Sequence, residues 1–396
     1  MTGAKARSTK AKQVTGAKQV AGAKASGKGK SILKLTVMNY RNMKIVADPT
    51  IPFLRGVLEP YVGSVEYVDR EILTPEVVKD ADALIIRMRT VCNEALLGNS
   101  KVQMIATTSV GTDHIDFDFC RSRGIEVYNA HGATANGVTQ YVFSALYGVA
   151  SRKALKLDDA TIGIIGAGNV GKTVAAVAKY LGFKILMYDP VRVPEEFADC
   201  MASWDELLEN SNVITIHTSL QDGNRNMANA DFFDKMLPGA FFINACRGEF
   251  VDENALMNAM PKLGGVILDS WKHEPNINLE LLEMVDIGTP HISGYTLNSK
   301  LKSTATAVRR IAEHFGIKEL IDFYPAPEGL PECKPVVLDL ANKNQGEITA
   351  IFQYNYPIFT DDFLFRMDPS KFDEMRNHYQ PRSEIYIPGV KGVDWK

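Results

Sequence analysis

The sequence predicts an α/β chain with two doubly wound parallel-sheet domains and a small C-terminal α+β domain. Three observations carry that expectation. From Met43 onward, short apolar runs of strand length alternate with helical stretches, the pattern of parallel strands joined by crossover helices. One such run leads through Gly166-Ala-Gly168-Asn169-Val170-Gly171 into a helix. The chain has 396 residues, of which 45% are hydrophobic and 23% charged, more than one ordinary domain of ~100–200 residues holds and close to the globular average.

The N-terminus is a different material. Residues 1–42 carry ten Lys or Arg and no acid, so the formal net charge of −3 divides into +10 there and −13 over the remainder. Thr2-Gly-Ala-Lys5 nearly repeats as Thr15-Gly-Ala-Lys18, with almost nothing to bury, which predicts a disordered basic extension. A nucleic-acid arm is the functional reading of such a tail. The favoured one is a plain extension ahead of a domain starting at Met43, and the acidic remainder argues against nucleic acid as a partner of the main body.

Lys44 to Ala47, Ala83 to Ile86, Met104 to Ala106 and Gly124 to Val127 read as buried parallel strands. Pro52 to Tyr61 and Pro75 to Lys79 read as helices between them. A long helix from about Thr139 to Lys153 leads to a second series of strands at Thr161 to Ile165, Lys184 to Tyr188, Val213 to Ile216, Ala240 to Asn244, Val266 to Leu268 and Val285 to Gly288. After Leu301 a helix runs toward His314. Beyond Pro325 the chain turns Pro-rich, then β-like, then polar with aromatics. The domains expected are 43–137 with a return helix over 296–316, 138–295, and 317–396.

The glycine turn carries the clearest chemistry. Gly166 allows the tight turn, Gly168 the approach of a pyrophosphate to the backbone, and Gly171 close packing of helix on sheet, while the helix N-terminus faces the phosphates. The next strand ends in Asp189, where a carboxylate suits the ribose of NAD and repels the 2′-phosphate of NADP. This predicts a Rossmann domain that prefers NAD, with Arg192 as the residue that could admit NADP. Three further groups sit just after strands: Arg247, suited to holding a carboxylate; Glu274, able to fix a histidine in one tautomer; and His291, a proton acceptor or donor. Of the seven histidines, His114, His314 and His378 look structural or superficial, His217 follows a strand toward the cleft, and His273 competes for Glu274.

These segments resemble the D-isomer-specific 2-hydroxyacid dehydrogenases: Met43 to Asp48, Thr112-Asp-His-Ile-Asp116, Asn244-Ala-Cys-Arg-Gly248, Asp269 to Pro275 and Asp286 to Tyr295. The resemblance implies Arg247, Glu274 and His291 as the catalytic set and a flavodoxin-like substrate or lid domain ahead of the Rossmann domain. It implies NAD contacts at Asp189, Thr218, Ala245, Cys246, Arg247, Asp269 and Gly294 in addition to the glycine turn, and a substrate contact at Tyr295. Tyr356 to Asp362, Phe372 to Arg376, Tyr379 and Arg382 to Glu384 resemble the dimerisation domain of one branch of the family. That branch implies a homodimer acting on a small phosphorylated hydroxy acid.

Two segments depart from the family pattern, Asn129 to Ala135 and His217-Thr-Ser-Leu220. Met88 stands where a small hydroxyl residue usually touches substrate, Ser109 keeps a hydroxyl at the second such contact, and Arg87 and Arg89 are candidate phosphate partners. The scattered cysteines, Cys92, Cys120, Cys200, Cys246 and Cys333, suggest neither disulfides nor a metal site. Without a signal peptide or a membrane-length apolar run, the expected location is the cytoplasm, away from any membrane. The alternatives are a related dehydrogenase acting on phosphoglycerate, glycerate or lactate, and an NAD-sensing corepressor-like protein.

Overall fold

A computed structural model describes residues 40–326 and 336–393. The expected extension lies outside the described residues except for Tyr40–Asn42, a short 3-10 turn whose Tyr40 carbonyl accepts the Met43 N–H.

The first sheet holds β1 (Lys44–Ala47), β2 (Ser64–Tyr67), β3 (Ala83–Ile86), β4 (Met104–Thr107) and β5 (Glu126–Asn129), all parallel. Its order is β2-β1-β3-β4-β5, the flavodoxin-like arrangement with a switch point between β1 and β3. The central strands β3 and β4 are buried at every position, which is why their apolar runs are continuous. The edge strand β2 has a polar, half-exposed sequence with no apolar run to announce it. At the other edge, β5 begins two residues later than expected, because Gly124 is the left-handed cap of helix Phe117–Arg123.

Pro52 to Tyr61 is not helical. It is a series of turns that changes direction at Phe53 (φ 62°) and Gly56 (φ 82°) and is pinned by the buried side chains of Ile51, Leu54 and Leu58. Apolar anchoring along a wandering chain imitates helical spacing here, and two positive-φ residues break the ladder that a helix needs.

The second sheet holds β6 (Thr161–Ile165), β7 (Lys184–Tyr188), β8 (Val213–Ile216), β9 (Phe241–Asn244), β10 (Gly265–Leu268) and β11 (Ile287–Gly288). These are parallel in the order β7-β6-β8-β9-β10-β11. Its switch point lies where β6 stands between β7 and β8, and the chain leaving β6 is the glycine turn.

Two long helices join the sheets. Ala135–Arg152 is buried from Ala135 to Ala150, a helix with no solvent face that must sit inside the molecule. Leu297–Phe315 returns to pack on β4 and β5, capped by Thr296 at its start and by left-handed Gly316 at its end.

The C-terminal region is mainly helical where a β-like stretch was expected. Among the described residues its helices are Gln345–Asn355, Ile358–Met367 and Phe372–Asn377, with two-residue strands β12 (Val336–Val337) and β13 (Ile385–Tyr386). Its aromatics serve as anchors: Phe352 stacks on Phe143, and Phe365 packs on Trp271. Since Phe352, Phe365 and Phe372 belong to the same apolar clusters as the second sheet, this region is sewn into the core. Glu384 adds polar stitching by accepting from Thr296, Ser299 and Asn136.

Candidate active site

A cavity of about 920 Å³ is lined by both sheets, the return helix and the C-terminal region, the size of an ordinary ligand site. The second sheet brings the glycine turn to it. Gly166 has φ 105°, and a Cβ there would strike the His217 carbonyl; a Cβ on Gly171 would strike the Gly166 carbonyl. A Cβ on Gly168 would meet nothing within 4 Å. Two glycines are thus required by the protein's own packing and the third leaves room. That vacancy stands at the N-terminus of helix Asn169–Tyr180, whose Gly168 cap offers no side chain to the free N–H groups, the setting in which a pyrophosphate binds.

Asp189 closes the same turn. Its Oδ2 accepts the Ala167 N–H at 2.9 Å, and its Oδ1 accepts from Val191 and Arg192 at 2.9 and 3.0 Å. Burial raises its pKa, but these backbone donors outweigh burial and leave it below the usual carboxylate range. Arg192 approaches to 3.8 Å from an exposed position. Thr218, Ala245, Cys246 and Gly294 line the cavity as well, and so does His217. Burial drives the His217 imidazole down to about 3 and the Cys246 thiol up to about 11, so His217 is neutral and Cys246 is no thiolate at neutral pH.

Glu274 and His291 meet. His291 Nδ1 lies 2.9 and 3.0 Å from the two carboxylate oxygens, and both side chains are nearly enclosed, 13% and 14% exposed. Burial alone would raise the pKa of Glu274. The imidazole beside it, with Arg376 and the Trp271 N–H, lowers it to about 2 instead. Glu274 therefore fixes Nδ1 and leaves Nε2, with no hydrogen-bond partner among the described residues, in a ring that lines the cavity. His273 takes no part in this pair.

The backbone of His291 (φ 55°) is held by Asp269. Asp269 is fully buried and absent from the cavity wall. It accepts from the Thr289 hydroxyl at 2.6 Å, the Ile292 N–H at 2.8 Å and the Ser293 N–H at 2.9 Å. Both oxygens of Asp269, expected to meet the cofactor, are engaged by the loop that carries His291.

Arg247 faces the cavity and donates through Nε and Nη2 to Asp113 Oδ1 at 3.2 and 2.9 Å, and through Nη1 to the Cys246 carbonyl at 2.8 Å. Asp113 bridges from the loop after β4, so Arg247 is held by an acid from the other sheet. Sequence reading attached no role to Asp113 by itself.

Ser109 Oγ accepts the Met88 N–H at 2.6 Å, and Met88, Arg87 and Tyr295 all line the cavity. Arg89 does not. It pairs with Asp373 and, at 3.4 Å, with Glu274, so it fastens the first sheet to the acid that orients His291. Arg376, which has no site role on sequence grounds, donates to the His291 carbonyl at 3.2 Å, to Met88 Sδ at 3.0 Å and to the Tyr295 hydroxyl at 3.1 Å.

The sequence profile described as "D-isomer specific 2-hydroxyacid dehydrogenase, NAD binding domain" matches residues 137–293. The chain is 37% identical over 348 residues to the erythronate-4-phosphate dehydrogenase of Bacteroides fragilis, spanning 86% of this chain and 97% of that one. It is 36% identical to the enzyme of the same name from Yersinia pestis, over 86% and 93%. The chain belongs to the D-isomer-specific 2-hydroxyacid dehydrogenases. Two solved members of similar fold are the D-lactate dehydrogenase of Aquifex aeolicus with NAD and lactic acid (TM-score 0.63, 28% identity, 72% of this chain and 100% of that one) and the NAD-bound 3-phosphoglycerate dehydrogenase of Entamoeba histolytica (0.61, 27%, 73% and 100%). This dehydrogenase is accordingly an NAD-dependent oxidoreductase acting on a small hydroxy acid. Among its described residues no helix is long and apolar enough to cross a membrane.

Proposed function

We propose that the dehydrogenase oxidises C2 of 4-phospho-D-erythronate to 2-oxo-3-hydroxy-4-phosphobutanoate, a step toward pyridoxal phosphate, in the cytoplasm. The observation that carries the reading is the enclosed His291–Glu274 pair with Nε2 left for the cavity. The substrate follows from the name shared by relatives that this chain spans almost end to end.

Arg247 holds the substrate carboxylate after exchanging one of its bonds to Asp113. The hydroxyl proton passes to His291 Nε2, and the C2 hydrogen leaves with its electron pair as the C=O bond forms. Bound NAD supplies the acceptor for that pair. Glu274 stabilises the imidazolium and keeps the ring in register. Gly166, Gly168, Asn169, Val170 and Gly171 hold the pyrophosphate, with Thr218, Ala245, Cys246 and Gly294 lining the rest of the cofactor's path. Asp189, with three lone-pair positions already accepting backbone donors, has little left for a ribose and acts chiefly as a fixed negative charge against a 2′-phosphate. Met88, Ser109 and Tyr295 border the substrate.

The reading includes a homodimer. On helix Ile358–Met367, Phe363, Leu364 and Met367 are 59%, 52% and 68% exposed, an apolar face suited to a second copy. Light scattering of the purified chain at twice the monomer mass is the expected result.

Formation of NADH is measured with 4-phospho-D-erythronate, 3-phosphoglycerate, glycerate and D-lactate. The expected outcome is the highest kcat/KM with the first; preference for another overturns the substrate. The same assay with NADP tests the part given to Asp189.

A further inference from the structure

Three histidines line the cavity, and two of them are held. His217 Nε2 lies 2.9 Å from the Thr215 hydroxyl, and His291 Nδ1 lies against Glu274. The third, His131, is exposed at the cavity wall, and among the described residues its ring makes no hydrogen bond or ion pair. It belongs to Asn129 to Ala135, one of the two segments that depart from the family pattern. An unpaired polar group at a surface is ordinary. What sets this ring apart is the wall on which it stands.

His131 sits in the turn between β5 and helix Ala135–Arg152. That turn is fixed on both sides. The Ala130 N–H donates to the Ser109 carbonyl at 3.1 Å and Asn129 Nδ2 to the Val110 carbonyl at 2.6 Å, while the Gly132 carbonyl accepts the Ala135 N–H at 3.2 Å. Gly132 has φ 77°, and a Cβ there would come within 2.9 Å of Asn169 Nδ2. The residue beside His131 is therefore packed on the first residue of the helix that leaves the glycine turn. Two walls meet at this point: a helix N-terminus with free N–H groups and, on the side of the first sheet, an imidazole with nothing to bond. The charged groups on the neighbouring elements are already paired: Lys172 with Glu196 at 3.4 Å, Arg192 with Asp189 at 3.8 Å, and Arg247 with Asp113 at 2.9 Å. His217 is neutral because burial drives it down to about 3, and Gly294, packed on Thr134, brings no charge.

Resting on the pyrophosphate seat proposed above, we infer that His131 closes that seat from the side of the first sheet: its ring donates to the pyrophosphate held at the glycine turn, and a second proton on the ring strengthens the bond. Helix N–H groups satisfy the oxygens turned toward them, and the outer oxygens still need donors. A neutral imidazole offers one N–H, a protonated one offers two together with a full charge. A charge-assisted bond is about twice as strong as a neutral one. Imidazole ordinarily exchanges that proton between about pH 5 and 8, so affinity for the dinucleotide rises as the pH falls through this range. The turn that carries His131 is bonded to the loop of Ser109, whose hydroxyl accepts the Met88 N–H. Engagement of His131 thus ties the cofactor to the wall that borders the substrate.

The probe is ADP-ribose, which carries the pyrophosphate but neither the nicotinamide nor a phosphate that titrates near neutrality. It is titrated calorimetrically into the full chain and into its His131→Gln and His131→Lys variants at about pH 6 and about pH 8. The parent chain should bind about threefold more tightly at the lower pH, the scale of a charge pair at an exposed edge. His131→Gln should bind no more tightly than the parent does at the higher pH, and equally at both. His131→Lys, charged throughout, should bind at both as the parent does at the lower pH. Adenosine, which lacks the pyrophosphate, should bind all three proteins alike. Parent affinity that ignores pH, a pH effect that survives His131→Gln, or equal losses with adenosine overturns the contact and leaves the glycine seat in place. A parent chain that does not bind ADP-ribose at all overturns the seat and the contact together.

Discussion

Gly166, Gly168 and Gly171 share one turn between a strand and a helix, whereas Arg87, Lys300 and Arg376 come from the first sheet, the return helix and the C-terminal region. Both reach the same cavity, the turn through Gly168, Asn169 and Val170. The first is a local device, since the backbone alone makes the turn and the helix N-terminus supplies the donors. The second exists only when three distant segments are brought together, so its charges are held by tertiary packing. Between the two lies the His291–Glu274 pair, local in its hydrogen bonds and long-range in its support from Asp269, Arg89 and Arg376.

The largest effect is expected where both kinds of construction meet. His291→Ala removes the proposed proton acceptor and should lower kcat by about 10²–10⁴-fold, with the melting temperature and NAD affinity nearly unchanged. Glu274→Gln should lose less, and only by leaving Nδ1 without its carboxylate. Stopped-flow NADH formation with both variants separates the groups. Equal turnover by His291→Ala and the parent chain would remove the mechanism.

Asp269→Asn probes the long-range support. An amide has one acceptor oxygen where the carboxylate has two, so an NH₂ group would face the Ile292 or Ser293 N–H. A buried donor set against a donor costs about 1–3 kcal/mol. Urea unfolding should register that loss, and kcat should fall with the displaced imidazole while KM for NAD hardly moves. A rise confined to the NAD KM would restore Asp269 as a cofactor contact.

The glycine turn sharpens the contrast from the local side. Gly171→Ala puts a methyl against the Gly166 carbonyl and should destabilise the turn itself, whereas Gly168→Ala meets only open space. Gly168→Ala should leave the melting temperature within about a degree while weakening NAD, because a methyl there intrudes on the pyrophosphate. Calorimetric titration with NAD and a thermal melt of both variants test the pair. Identical behaviour would mean that neither glycine is kept for the cofactor.

The same contrast explains what was legible in the sequence. The glycine turn, Asp189, Arg247, Glu274 and His291 are marked by position, each just beyond a strand of continuous apolar residues, and parallel topology sends all such ends to one edge. Arg376 follows no strand, and nothing near it in sequence announces Tyr295 or His291 as its partners. Asp113 and Asp269 are ordinary acids until folding shows that one holds Arg247 and the other holds the loop of His291. Arg89 looked like a twin of Arg87 but pairs with Asp373, from the C-terminal region. Strand β2 and the turns at Pro52 to Tyr61 were obscured for a related reason: an edge strand needs no apolar run, and a chain pinned by scattered buried side chains needs no regular backbone.

The smallest effect concerns histidines that serve neither wall by proton transfer. Burial lowers His217 to about 3 and His114 to about 4, whereas an imidazole in the unfolded chain titrates near ~6.5. Below about pH 6.5 the unfolded chain therefore binds protons that the folded one refuses. Stability rises with pH wherever the unfolded state holds more protons, so it is full above that value and falls as the pH drops toward 4. At pH 5 each histidine should account for about 2 kcal/mol. Glu274, held at about 2 from 4.5, has the opposite charge type but the same sign of effect, and its loss begins only below about pH 4.5. The window between pH 6.5 and 5 thus belongs to the histidines. His114 Nε2 is buried without a partner, so His114→Leu removes a titrating group and an unsatisfied nitrogen at once. Urea midpoints at pH 7 and pH 5 should differ by about half as much in this variant as in the parent chain. An unchanged difference would mean that the fold yields to protonated His114 rather than refusing it.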